Sequence, residues 1–311
     1  MLDDATLELL RLLGDQPNLN ELTVKEARMA DARLALLQPS GPKMARVDAV
    51  DLRSATAQIY VPHGKPVGIV IYVHGGGWVL GHLNQYDTLA RILAAESGCV
   101  VVMAGYRKAP EHPFPAGLED VWKVAQWTSA HREEIAGSLV PLVIAGDSAG
   151  GNLAAVVARR ARDTGSPDLA LQVLVYPVTD CTFSTSSYLD PANAEMLTRE
   201  GMEWFWDLYI PETGERHHPD ASPLRARHLG GLAPAVVITA EHDVLRDEGN
   251  AYADRLRADG VEVTHSEFAG QMHGFFTFAD LLPAGHEAIA LVVRSIREAI
   301  GVKARGSVPT A

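Results

Sequence analysis

Cysteine is scarce: the 311-residue chain carries only Cys99 and Cys181. Cys99 opens an apolar run and Cys181 follows Tyr176-Pro177-Val178-Thr179-Asp180. Two thiols so placed exclude a disulfide framework and any cysteine-based metal spacing, and they suit a reducing cytoplasm, the expected location. Long apolar runs are also missing; none approaches the roughly 18 residues that a membrane span needs. The opening Met1-Leu2-Asp3-Asp4 is acidic where a secretory signal would be basic. Positive charge is in deficit, with 27 Lys and Arg against 39 Asp and Glu and a net charge of −12. That balance argues against nucleic acid or a membrane surface as a partner. Repeats and low-complexity tracts are lacking, and the tail 304–311 is expected to be disordered.

What remains is a globular composition, 47% hydrophobic and 21% charged, at a length that suits one large α/β domain or two small ones. Residues 3–14 and 23–38 read as amphipathic helices, the second opened by a capping box of Thr23 and Glu26. Alternation from Ala45 to Val61 predicts an antiparallel hairpin. Continuous apolar runs at 68–73, 99–104, 142–145, 169–175 and 235–240 suit strands buried on both faces. A further strand is expected over 261–268. Helical stretches at 85–97, 115–132, 150–163, 246–259 and 284–300 alternate with them, which predicts a doubly wound, mostly parallel sheet of eight strands. Its ligands belong at the carboxyl ends of the strands. About sixty residues separate the strands ending at Val175 and starting at Ala235, too many for a crossover. This segment is expected to fold over the site as a cap. Its Trp204-Phe205-Trp206 could line an acyl pocket or form the cap's own small core.

Four signals fall at predicted strand ends. Gly146-Asp147-Ser148-Ala149-Gly150 lies between a short apolar run and an Ala-rich helix, the context that makes G-x-S-x-G a nucleophile elbow. His74-Gly75-Gly76-Gly77-Trp78 follows the strand 68–73, where consecutive glycines let backbone N–H groups converge on an oxyanion. Asp243 and His273 follow the strands 235–240 and 261–268. A serine hydroxyl is a weak nucleophile without a base. A histidine can take its proton and return it to the leaving group, and an aspartate on the far ring nitrogen fixes the tautomer. Ser148, Asp243 and His273 are therefore the candidate triad. His242, His265 and His286, and Glu241 and Asp247, are weaker candidates by position, and Asp147 reads as a stabiliser of the elbow.

These segments, with Tyr106-Arg107-Lys108-Ala109-Pro110-Glu111-His112-Pro113-Phe114-Pro115-Ala116, Tyr176-Pro177, Asp243-Val244-Leu245-Arg246-Asp247-Glu248 and His273-Gly274-Phe275, resemble the hormone-sensitive lipase family of bacterial esterases (family IV). The likeness runs from about residue 65 to 300. It implies an α/β-hydrolase fold with Ser148 as nucleophile, Asp243 as acid and His273 as base. It also implies oxyanion donors at the N–H groups of Gly76, Gly77 and Ala149. The expected organisation is cap helices over 1–40, a core of 41–180 with 226–303, and a cap insertion over 181–225. Pocket candidates are Trp78, Trp204, Phe205, Trp206 and Phe275. Arg107 and Glu111 are expected in structural ion pairs. Lys108 and Val244 depart from residues the family often has, Leu and Pro, away from the triad. The implied activity is hydrolysis of small short-acyl esters through an acyl-enzyme, with no metal or organic cofactor and a possible homodimer. An amidase or deacetylase on the same triad, or a non-catalytic ligand-binding relative, are the alternatives.

Overall fold

A computed structural model describes residues 1–14, 17–34 and 39–302. The strands are β1 (Arg46–Asp51), β2 (Thr56–Val61), β3 (Ile69–Val73), β4 (Val100–Gly105), β5 (Leu142–Asp147), β6 (Leu169–Val175), β7 (Ala235–His242) and β8 (Val263–Met272). They form one sheet in the order β1-β2-β4-β3-β5-β6-β7-β8. β1 and β2 pair antiparallel with their neighbours, and every pairing from β4 across to β8 is parallel. The apolar runs at β3, β4 and β5 are buried along their whole length. Alternate side chains serve two cores: Ile69, Ile71 and Val73 pack on one face, Val70 and Tyr72 on the other. Each such buried Val or Ile contributes about 1.5–3 kcal/mol of transfer free energy.

The helices are α1 (Asp4–Leu13), α2 (Val24–Leu34), α3 (Asp87–Ser97), α4 (Ala116–Ala130), α5 (Arg132–Ala136), α6 (Ala149–Thr164), α7 (Ser186–Leu189), α8 (Arg199–Tyr209), α9 (Arg246–Ala258) and α10 (Pro283–Ala299). α3 and α10 cover one face of the sheet, and α4, α6 and α9 cover the other. None of the described helices is long and apolar enough to cross a membrane. The capping box of α2 is formed: Thr23 N donates to Glu26 Oε2 at 2.9 Å. Positions 35–38, expected to continue that helix, and the tail 304–311 lie outside the described residues.

Several elements differ from the expected boundaries, and β7 runs on to His242, directly before Asp243. β8 runs on to Met272, so His273 follows the strand immediately. The expected helix 115–132 breaks at His131 into α4 and α5. The segment between β6 and β7 holds α7, α8 and short 3-10 turns. α8 is capped by Thr198, whose side chain accepts from Gly201 N at 2.9 Å. Its apolar stripe, Met202, Phe205, Trp206 and Tyr209, has helical spacing and is buried.

Candidate active site

The turn between β5 and α6 is tight. Ser148 has φ 55° and ψ −121°, a conformation that costs a non-glycine residue on the order of 1–3 kcal/mol. The surroundings impose it. Ser148 N donates to Val175 O at 2.9 Å, and Ser148 O accepts from Asn152 N at 3.0 Å and from Val178 N at 3.2 Å. Gly146 and Gly150 are required by space: a Cβ on Gly150 would overlap Val73 O and His74 O, and one on Gly146 would overlap Gly150 O. The side chain of Ser148 is thereby held above the N-terminus of α6, where the dipole favours negative charge.

The structure brings three of the sequence candidates together. His273 Nε2 stands 3.1 Å from Ser148 Oγ, and His273 Nδ1 stands 2.7 Å from Asp243 Oδ2. Asp243 is fully buried, and its Oδ1 accepts from Leu245 N at 2.9 Å. Nδ1 carries the proton in this arrangement, because a carboxylate can only accept, and Nε2 is left to accept from the serine. The Tyr176 ring packs against His273 with centroids 4.6 Å apart. The competing histidines lie elsewhere: His265 Nε2 meets Thr239 Oγ1 at 3.1 Å, and His242 adjoins Glu241 at 3.7 Å.

The loop after β3 passes beside the serine. Gly76 and Gly77 line the same cavity as Ser148 and His273. Among the described residues no hydrogen bond occupies the N–H groups of Gly76, Gly77 or Ala149. Gly77 has φ 57°, and a Cβ there would enter the Phe205 ring. His74 stacks on Tyr106, centroids 4.4 Å apart, and its Nδ1 lies 2.8 Å from Gly75 O. Burial, with the nearby Lys108 charge, lowers its pKa to about 3, so the ring is neutral and serves the loop as a donor. No three His, Cys, Asp or Glu side chains among the described residues come together as metal ligands.

Residues 70–277 match a protein-family model described as alpha/beta hydrolase fold. The chain belongs to the α/β-hydrolase family. It is 40% identical over 235 residues to carboxylesterase NlhH of Mycobacterium tuberculosis, covering 75% of this chain and 74% of that protein. It is 37% identical over 291 residues to esterase LipI of the same organism, covering 92% and 85%. Among solved structures, an esterase from Pyrobaculum calidifontis superposes with a TM-score of 0.89 at 37% identity, covering 97% of this chain and all of that one.

Within this α/β-hydrolase the cavity at Ser148 measures about 240 Å³. Its walls come from the turn at Leu19 and Leu22, from α2 at Ala27 and Ala30, from Met196 and Leu197, and from Met202 and Phe205 of α8. The pocket candidates divide. Phe205 lines the cavity, whereas Trp78, Trp204, Trp206 and Phe275 do not. Trp78 stacks on Tyr209 with centroids 4.2 Å apart and meets Trp206 edge-on at 5.0 Å, so both tryptophans belong to the cap-to-core packing. Phe275 is buried against Tyr176 and Phe268. In α8 the helical phase decides this, because positions one apart face different ways. α1, expected within the cap, does not line the cavity either; it docks beside β8. Arg107 and Glu111 are in ion pairs as expected, Arg107 with Asp120 at 2.7 Å and Glu111 with Arg28 at 2.7 Å.

Reasoning from sequence missed the surroundings of Asp147. Its Oδ1 accepts from Tyr72 Oη at 3.0 Å and Gly75 N at 3.1 Å, and its Oδ2 accepts from Tyr86 Oη at 3.0 Å. Burial raises its pKa to about 6, an effect that the hydrogen bonds from the two tyrosines oppose. The only local signal was the acid itself, placed beside the nucleophile.

Proposed function

We propose that the protein is a serine carboxylesterase that hydrolyses small, short-acyl esters. One observation carries this reading: Ser148, His273 and Asp243 form a hydrogen-bonded line opening on a cavity that also holds the unpaired N–H groups of Gly76 and Gly77. Ser148 Oγ attacks the ester carbonyl while His273 Nε2 takes its proton. Asp243 keeps Nδ1–H oriented and steadies the imidazolium. The carbonyl oxygen, now negative, accepts from Gly76, Gly77 and Ala149; losing one such donor costs on the order of 10²–10³ in kcat. His273 returns the proton to the departing alcohol, leaving an acyl-Ser148. Water, activated by the same imidazole, then releases the acid.

The size of the cavity supports a small substrate. At about 240 Å³ it falls below the roughly 300–1,000 Å³ of sites for drug-sized ligands. Its largely aliphatic and aromatic walls suit an unbranched hydrocarbon chain. The names of the relatives, carboxylesterase and esterase, agree with this chemistry. Cys99 and Cys181 are both free thiols, which supports a cytoplasmic location.

The test is hydrolysis of p-nitrophenyl esters from acetate to palmitate by wild type and Ser148→Ala. Turnover that peaks at short chains and is lost with alanine is expected. A folded wild type inert toward every ester contradicts the reading, and activity surviving in Ser148→Ala removes Ser148 from its role.

A further inference from the structure

We propose that Asp147 is a positioning residue for the reaction, its carboxylate tying the oxyanion loop to the strand end that carries Ser148. The inference rests on the esterase reading and adds to it how the donors of Gly76 and Gly77 are kept in register with the nucleophile. Three donors from three separate elements converge on this one carboxylate: Tyr72 Oη from β3, Tyr86 Oη from the turn before α3, and Gly75 N from the oxyanion loop. Gly75 N is shared with Tyr86 Oη at 3.1 Å, so the loop is held at one peptide by two partners that also hold each other. The fit is close, because a Cβ on Gly75 would overlap Asp147 Oδ2. On the opposite side the loop is gripped by Tyr106 Oη, which donates to His74 O at 3.0 Å.

Burying a carboxylate is unfavourable unless its lone pairs are occupied. Asp147 is 3% exposed, and its neighbours supply those donors. Stability alone would be served as well by an apolar side chain. The acid is useful here because it accepts from several donors at once while sitting one residue from Ser148. The groups that face or influence its charge are Tyr72, Tyr86, Tyr106, Tyr176 and His273. The tyrosines are all pushed to higher pKa by burial and then by this carboxylate, so they stay protonated donors across the working range. Protonating Asp147 turns one acceptor oxygen into a hydroxyl and frees a donor, which loosens the loop. Acidification through about pH 6 therefore removes activity by this route.

The experiment compares wild type, Asp147→Asn and Asp147→Ala on p-nitrophenyl butyrate between pH 4.5 and 9, each checked for fold by circular dichroism. Asp147→Ala is expected to lower kcat about a hundredfold with KM within about threefold, as a loss confined to the transition state. The amide of Asp147→Asn can still accept from Gly75 and Tyr72 but, like the protonated acid, turns a donor toward Tyr86, so it should recover only part of that loss. It cannot titrate, so the part of the acid limb of log kcat/KM that this carboxyl produces should be missing from its profile. If alanine does not fold, the asparagine profile carries the test alone. An active wild type whose kcat survives in Asp147→Ala, or whose acid limb is unchanged in Asp147→Asn, overturns the inference and leaves the esterase reading standing.

Discussion

Gln271 and Asp3 join two distant segments of the chain: Gln271 Nε2 donates to Asp3 Oδ2 at 2.7 Å, across 268 positions. Asp3 also caps α1 by accepting from Thr6 N at 2.7 Å, and Thr6 Oγ1 donates to Gln271 Oε1 at 3.3 Å. Gln271 lies two residues before His273 and is fully buried. The N-terminal helix thus acts on the site by holding the end of β8 rather than by lining the cavity. Gln271→Ala breaks both bonds and leaves Thr6 unpaired in a buried position, at a cost of about 1–3 kcal/mol. A displaced His273 should lower kcat on the order of ten- to a hundredfold. Thermal unfolding and kcat measured on Gln271→Ala and Asp3→Ala check this, and both should move in the same direction.

Phe205 and Trp206 are adjacent in α8 and should respond differently. Phe205 faces the cavity beside Gly77, so Phe205→Ala opens room for a longer acyl chain. Each added methylene that enters apolar space gains about 0.8 kcal/mol, roughly fourfold in kcat/KM. The chain-length optimum should therefore move upward. Trp206→Ala should leave the optimum in place and lower stability by about 3–5 kcal/mol. A p-nitrophenyl ester series with both variants separates the two roles.

Glu248 makes stability depend on pH. Its Oε1 accepts from Thr179 N at 2.6 Å and Asp180 N at 3.2 Å, yet burial raises its pKa to about 8 from an ordinary 4.5. The unfolded chain releases this proton near pH 4.5 and the folded one near pH 8, so folding retains a proton between them. The contribution of this group to stability is full below 4.5 and is lost as pH rises through about 8. Glu248→Gln keeps an acceptor for both N–H groups without the charge. Its Tm relative to wild type should rise from pH 5 to about pH 8 and level off beyond; a difference independent of pH would contradict the assignment.

The features legible in the sequence are those set by neighbours along the chain. Gly146 and Gly150 flank Ser148 because the turn has no room for a Cβ, and that requirement leaves a local pattern. The alternation of β1 with β2 and the solid apolar runs of β3 and β5 are local too, so the sheet and the strand ends could be placed. What could not be read depends on contacts between distant segments. Tyr72 and Tyr86 look like ordinary core aromatics until folding brings them to Asp147. Trp78 sits beside the oxyanion glycines in sequence, but its ring is claimed by Tyr209, 131 positions away, at 4.2 Å. The extension of β8 through Gly270 and Gln271 was hidden because those residues are poor strand formers, held there by Glu241 and Asp3.

In the proposed mechanism Ser148 carries the acyl group between two chemical steps. This is tested most directly by mixing wild type with p-nitrophenyl butyrate, quenching in acid within the first turnovers and mapping the adduct by peptide mass spectrometry. A butyryl group on the peptide containing Ser148, absent from Ser148→Ala, is the predicted result. Product release with no adduct on that peptide, or with the butyryl group on another residue, would contradict it.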